Sequence, residues 1–399
     1  MTHILTDLFF NVIKTGNYDI CKDVFPQLKV LEETPQDSYY HAEGDVWTHT
    51  KMVLDCLLED DVFSLSSDTD KFCMFYAALL HDIAKPMCTI LESDGRITSA
   101  GHSKKGAIDV RNMMWELNVP FQVREEICNI ISVHQVPFFA FNDKGNESRP
   151  ARTPEYIALQ LSQDMCLRNL ITVATADMKG RYCEVKQQAL DDIALFTEIA
   201  HEQNCYANSY VFADDVTAYE YIKRYGTIVP NQPFYDTTKC KVHVLSGLPA
   251  SGKDTFVKCH FAHLPVVSFD DARAELSIKH GDNPGQAVQL VLSRAKAHLA
   301  KGEEFVWNAT HISKQMREKT LNLLDQYNAF INIHYIEQVK NITLIRNKSR
   351  DACVPNDFLV KLYHKWEIPL KTEAHLVNYH VNGATTIRDA GLFQSTISF

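Results

Sequence analysis

The stretch SGLPASGKDTF, Ser246 to Phe256, has the glycine and lysine spacing of a loop that grips phosphate. In the pattern G-x-x-x-x-G-K-[ST], successive backbone N–H groups curl around phosphate oxygens at a helix N-terminus, and the lysine reaches the β- and γ-phosphates. Gly247, Ser251, Gly252 and Lys253 fill the pattern, but Asp254 stands where a Ser or Thr hydroxyl ordinarily meets magnesium. A carboxylate is a hard oxygen ligand and can serve directly or through water. Thr255 is the competing ligand, although its direction on a helix differs by about 100°. The loop therefore predicts ATP or another nucleoside triphosphate, bound with Mg²⁺.

A second group lies upstream: His49 in GDVWTHTKMVL, His81 and Asp82 in AALLHDIAKP, His102 in GHSKKGA, His134 in ISVHQVP and Asp177 in ATADMKGR. The His–Asp pair ends the apolar run KFCMFYAALL, where an ionised carboxylate is costly unless a metal or partner compensates. Imidazole with carboxylate suits one or two divalent transition metals such as Mn, Ni or Co. Such a centre generates hydroxide at neutral pH and clamps a phosphoryl group. His41 is a candidate supporting residue, and Lys85, Lys104, Lys105 and Arg181 are near enough in sequence to meet a substrate phosphate.

Two further segments follow the loop. VVSFDDARAEL puts Asp270 at the end of an expected strand, with Arg273 close behind. A carboxylate there can take a proton from an attacking hydroxyl, though Asp is also a common helix cap. In VKNITLIRNKSRDACVP, Arg346 and Arg350 are one helical turn apart and share a face. Two guanidinium groups can cover a phosphoryl group as it gains charge.

The elements that must hold these residues differ between the two halves. Up to about Tyr225, segments such as MVLDCLLEDDVF, GAIDVRNMMWEL, REEICNIISVHQV and VTAYEYIKRYG repeat apolar residues at helical spacing, predicting an all-α domain over 1–225. GTIVPNQPFYDTTK reads as a linker, 226–240. From 241 to 399, KVHVLSG, PVVSFDD, EFVWNATHI and FINIHYIEQ alternate with helical stretches, predicting an α/β domain with a parallel sheet and helices on both faces. A net charge of −10 argues against broad coating of nucleic acid but permits grip on a strand end. Eleven scattered cysteines without a C-x-x-C pair, and no secretory signal or membrane-length apolar run, predict a reducing, cytoplasmic setting.

The upstream set, in this order, resembles the HD-domain phosphohydrolase superfamily. FPQLKVLEETPQDSYYHAEGDVWTHT and the ADMKGR ending look like the HD domains fused to tRNA nucleotidyltransferases. The resemblance implies His49, His81, Asp82 and Asp177 on one metal and His102 and His134 on a second, with Asp82 bridging. The loop, FDDAR and RNKSRDACVP together resemble the polynucleotide 5′-kinase family, and WNATHISKQMREK, with Asn308 and Thr310, matches a further segment less closely. By that resemblance Asp270 is the general base on a 5′-hydroxyl, Arg273 holds an acceptor phosphate, and Arg346 and Arg350 form a lid. The fusion is similar to HD-domain polynucleotide kinases. It implies a bifunctional enzyme acting on RNA or DNA ends, in partnership with an RNA ligase. The HD part would remove 2′,3′-cyclic, 2′- or 3′-phosphates, and the kinase part would phosphorylate 5′-hydroxyls. A metabolite phosphohydrolase fused to a small-molecule kinase is the alternative, followed by a non-catalytic nucleic-acid sensor.

Overall fold

The computed structural model describes residues 2–147, 149–278, 283–349 and 353–386. It divides into two compact units whose boundary in sequence falls between Val211 and Phe212.

The first unit is built on α-helices. Those that carry or frame the upstream set are α1 (Val46–Leu58), α2 (Asp68–Leu80), α3 (His102–Glu116), α4 (Phe121–Val133), α5 (Leu167–Lys179) and α6 (Lys186–Glu202). Asp45 caps α1 by accepting the Thr48 N–H, and Ser67 caps α2 by accepting that of Asp70. Every residue of α2 from Phe72 to Leu80 is buried, so the chain delivers His81 and Asp82 directly into the interior. MVLDCLLEDDVF, read as one helix, is interrupted, because the Asp60 side chain accepts the N–H groups of Val62 and Phe63 and starts a new short helix. The turn-rich LESDGRITSAGH forms, with Ile90 before it, a small antiparallel hairpin, Ile90–Leu91 against Ile97–Thr98. The helices α3 and α4 are tied by a buried pair, Arg111 Nε 2.9 Å from Glu125, which also accepts from Arg124 at 2.7 Å. Removing one partner of such a pair strands a buried charge, so it fixes the helices' relative placement. That placement matters because His102 begins α3 and His134 follows α4.

The second unit holds a six-stranded sheet. Its strands are β1 (Cys240–Ser246), β2 (Val266–Ser268), β3 (Phe305–Asn308), β4 (Ala329–Glu337), β5 (Leu376–Val381) and β6 (Ala384–Thr386). The spatial order is β2-β3-β1-β4-β5-β6; the first five are parallel and β6 is antiparallel to β5. Fully buried Val242, Val244, Phe305, Ile331 and Ile333 form the centre of its core. The connecting helices include α8 (Lys253–His260), α9 (Phe269–Glu275), α10 (Gly285–Lys301), α11 (Lys314–Gln326), α12 (Lys340–Ser349) and α13 (Asn356–Tyr363). Gly302, left-handed at φ 68°, ends α10 as its position suggests.

Two details depart from the sequence reading. Helix α7 (Asp215–Lys223), expected in the helical half, belongs to the second unit. Tyr219 stacks on His375 with ring centroids 4.0 Å apart, and Lys223 pairs with Asp325 at 2.6 Å. The segment 226–239 has no helix or strand, but it lies within the second unit instead of separating two domains. No helix among the described residues is long and apolar enough to cross a membrane.

Candidate functional site

In the first unit, His49, His81, Asp82, His102, His134 and Asp177 converge in the interior, none more than 6% exposed. The rings of His81, His102 and His134 are set in one way. Each Nδ1–H donates to the carbonyl three residues earlier: Ala78 at 2.7 Å, Ser99 at 2.7 Å and Ile131 at 2.8 Å. In the neutral ring that leaves Nε2 as a lone pair, and those of His81 and His102 are turned toward Asp82 at 3.1 and 3.2 Å. His134 Nε2 lies 3.9 Å from Asp177. Yet the Nε2 atoms of His81 and His134 and both Asp82 oxygens are buried without a hydrogen bond. Lone pairs converging from several helices without hydrogen bonds fit a divalent metal, since only the Lys85 charge meets Asp82 and no donor meets the Nε2 atoms of His81 and His134.

Among the described residues, three-ligand groups form from His49, His81 and Asp82; from His81, His134 and Asp177; from Asp82, His102 and His134; and, beside these, from His41, Glu43 and His49. Asp82 is shared by two of them, in keeping with a bridging place. His81 and His134 also each belong to two, so the proximities do not divide into the two sets that the resemblance implies. Burial alone would raise the Asp82 carboxyl, but His81 in its protonated form and the Lys85 charge outweigh it and hold the group well below its usual range. Asp177 behaves alike, with the Arg181 charge and the His49 hydrogen bond overcoming burial. Burial, aided by His81, brings His134 down to about 3 and keeps it neutral.

The basic residues near the ligands are partly engaged. Lys85 Nζ is 2.8 Å from Asp82, and Arg181 grips Asp177 through contacts of 2.7 to 2.9 Å. Lys105 pairs with Asp109 on its own helix at 2.5 Å. Sequence reasoning missed Glu43. Its Oε1 lies 2.8 Å from His41 Nδ1 and 3.0 Å from His49 Nδ1, while its Oε2 accepts the Tyr182 N–H at 2.9 Å. Burial raises this carboxyl, but the two imidazoles and the amide together hold it far below normal. Glu43 thereby sets the His49 ring with Nε2 facing Asp177, at 3.1 Å. The only sequence signal was its place between His41 and His49 in HAEGDVWTH.

In the second unit, one cavity of about 1110 Å³ is lined by Ser251, Gly252, Lys253, Asp254, Thr255, Asp270, Arg273, Asn308, Thr310 and Arg346. The strand β1 delivers the loop to the N-terminus of α8. Gly247, at φ 150°, is required by close approach: a Cβ there would meet the Ile336 carbonyl oxygen at 2.3 Å. Its N–H donates to Thr310 O at 2.9 Å, so it is not among the amides offered to phosphate. Lys253 Nζ donates to Gly247 O and Leu248 O, both at 2.9 Å. A Cβ on Gly252 would sit 3.5 Å from the Arg346 guanidinium, which places Arg346 over the loop. Arg350 lies outside the described residues. Ser268, not Asp270, caps α9 by accepting the Asp271 N–H, so Asp270 is not occupied as a helix cap. Arg273 lies over the Phe269 ring at 5.3 Å.

Asp254 is held from the neighbouring strand: Asn308 Nδ2 donates to its Oδ1 at 2.8 Å. Thr255 also lines the cavity, so both oxygens proposed for magnesium remain available there. Lys253, Arg273 and Arg346 supply positive charge to a space that Asp254 and Asp270 share. This combination can bind a triphosphate with a divalent cation and accept a proton from a hydroxyl.

A family model described as an AAA domain matches residues 242–360, which takes in the loop, Asp270, Arg273, Asn308 and Arg346. The chain is also similar to proteins named Multifunctional CCA protein. That of Pasteurella multocida is 27% identical over 26% of this chain and 24% of its own length. That of Mannheimia succiniciproducens is 29% identical over 26% of this chain and 23% of its own. A third, from Pseudoalteromonas atlantica, is 26% identical over 39% of this chain and 35% of its own. The chain thus spans about a quarter to a third of these relatives. The second unit is a P-loop domain of the nucleotide-binding, kinase-like kind.

Proposed function

We propose that this protein is a bifunctional enzyme that heals nucleic-acid ends, RNA above all. The helical unit releases 2′,3′-cyclic, 2′- or 3′-phosphate from one end. The P-loop unit transfers the γ-phosphoryl group of a nucleoside triphosphate to a 5′-hydroxyl. The observation that carries this reading is the convergence of Lys253, Asp270, Arg273 and Arg346 on one cavity, in a chain that also gathers orphaned His and Asp donors. The similarity to multifunctional CCA proteins is in keeping with the likeness of the His49 lead-in to HD domains attached to tRNA nucleotidyltransferases.

In the P-loop unit, Lys253 and Arg346 neutralise the triphosphate and the charge that develops on transfer. Asp270 accepts the proton of the attacking hydroxyl, and Arg273 holds a phosphate of the acceptor strand. Asp254 or Thr255 supplies an oxygen to Mg²⁺. In the helical unit, His49, His81, Asp82, His102, His134 and Asp177 would hold one or two transition metals. A metal bound there supplies a water-derived nucleophile at neutral pH and a positive clamp on the phosphate. Glu43 orients His49, and Lys85 and Arg181 balance the carboxylates. The free thiols suit the reducing cytoplasm. Ends prepared in this way are substrates for an RNA ligase, which we take as the functional partner.

The test uses two variants and end-labelled RNA carrying each type of 3′ end. Lys253→Ala abolishes 5′-phosphorylation and leaves phosphate release intact, and Asp82→Ala does the converse. Loss of both activities in either folded variant would refute the two-site reading. Phosphorylation of free nucleosides in preference to strands would replace it with small-molecule metabolism.

A further inference from the structure

The second residue of α8 is an exposed carboxylate in the cavity where a triphosphate is expected. An acid in the first turn favours the helix, because it faces the positive end of the macrodipole. For a bound anion its effect is opposite, since it places a negative charge among the phosphates. The charged groups lining the cavity are Lys253, Arg273, Lys319 and Arg346 on one side of the balance and Asp254 and Asp270 on the other. A Ser or Thr at 254 would leave that balance more positive.

Asp254 is also not free to swing out of the way. Asn308 ends β3, half-buried, and its amide nitrogen donates to Asp254 Oδ1 at 2.8 Å. β3 lies beside β1, which feeds the loop, with Val244 opposite Trp307. The clamp thus joins the end of β3 to the first turn of α8 and leaves the second oxygen of Asp254 for another partner. An amide N–H donor is itself no counter-charge, so the carboxylate keeps its full negative character.

We propose that the Asp254–Asn308 pair makes nucleotide binding conditional on a divalent cation. With Mg²⁺ present, the carboxylate and the phosphates share the cation. Without it, Asp254 repels the triphosphate that the loop would otherwise hold. A hydroxyl at this position would carry no such penalty. The inference rests on the reading of this cavity as a nucleoside triphosphate site, and it adds that the site excludes the metal-free nucleotide.

The experiment is calorimetric titration of the full chain with ATP, in Mg²⁺ and in EDTA, without acceptor. The wild type binds in Mg²⁺ and loses at least ~100-fold in affinity in EDTA, through the lost cation contacts together with the repulsion of like charges brought close at a protein surface. Asp254→Asn keeps an oxygen for Asn308 and removes the charge. It recovers roughly tenfold of the metal-free affinity and binds less tightly than the wild type in Mg²⁺. Asn308→Ala frees Asp254 to turn aside, so metal-free binding rises several-fold while the Mg²⁺ concentration needed for half-saturation also rises several-fold. If the wild type binds ATP equally with and without Mg²⁺, or if Asp254→Asn leaves the metal dependence unchanged, the inference is overturned while the nucleotide site stands. If ATP fails to bind in either condition, the nucleotide reading falls and takes the inference with it.

Discussion

Replacing Gly180 with alanine tests whether helix spacing sets the metal-binding geometry. Gly180 follows α5 directly and faces α1. A Cβ there would lie 2.8 Å from Val53 N, 2.9 Å from Val53 Cγ2 and 3.0 Å from Val53 Cα, against 3.4 Å for ordinary contact. The methyl of Val53 can turn aside, but its backbone cannot, so α1 and α5 must part by several tenths of an ångström. Such overpacking costs about 1–3 kcal/mol. For a unit of this size that lowers the midpoint of thermal unfolding by roughly 2–12 °C. The separation falls where His49 and Asp177 meet. His49 Nε2 is 3.1 Å from Asp177, and its Nδ1 is 3.4 Å from the Gly180 carbonyl. We therefore expect Gly180→Ala to weaken Mn²⁺ binding and phosphate release about tenfold or more. Phosphorylation of 5′-hydroxyls, measured on the same preparation, serves as the control and stays unchanged. Wild-type unfolding temperature together with wild-type phosphate release would refute the reasoning, because the close approach would then carry no consequence.

Other expectations follow from single residues. Burial raises the Glu126 carboxyl from 4.5 to about 8, despite donors from Asn169 and Cys166. The fold prefers the neutral acid, so this contribution is fully present below pH 4.5 and is lost as pH rises toward 8. At about 1.4 kcal/mol per pH unit, Glu126→Gln should gain on the wild type progressively across that window, by several kcal/mol at pH 8 in denaturant titrations. An unfolding midpoint difference that does not change with pH would count against it. Ala250, left-handed at φ 63° within the phosphate loop, is strained. Ala250→Gly should stabilise the second unit by roughly 0.5–1 kcal/mol, read as a higher melting temperature without nucleotide. Glu43→Ala should release the His49 ring and lower metal affinity by about 10–100-fold. Isothermal titration with Mn²⁺ measures this, and unchanged affinity would show that Glu43 does not orient the ligand.

Much of the fold was legible because it rests on short-range rules. Apolar spacing announced helices in the first half, and the change to short β-branched runs announced the parallel sheet. β5 was missed because LVNYHV mixes polar residues into a strand whose neighbours bury it only in part. The boundary at Val211 was also hidden. VTAYEYIKRYG has an ordinary helical period, and tertiary contacts such as Tyr219 on His375 and Lys223 on Asp325 attach it to the sheet unit. Asp270 could have been a cap by sequence alone, and the geometry gives that role to Ser268.

The sequence by itself determined which chemistries are available. It supplied the glycine and lysine spacing of the loop, the imidazole and carboxylate types upstream, and the order of helical and strand-forming segments. Those depend on side-chain identity and on contacts a few residues apart. Only the tertiary structure decided which groups meet. It put Glu43 behind His49, left the Nε2 of His81 and His134 without hydrogen bonds, and tied Asp254 to Asn308 across 54 positions. Such pairings are set by how helices and strands pack, and packing answers to the whole of each core instead of to any local pattern. The phosphate loop is therefore readable as a string of letters, while the way its aspartate acts depends on a neighbouring strand.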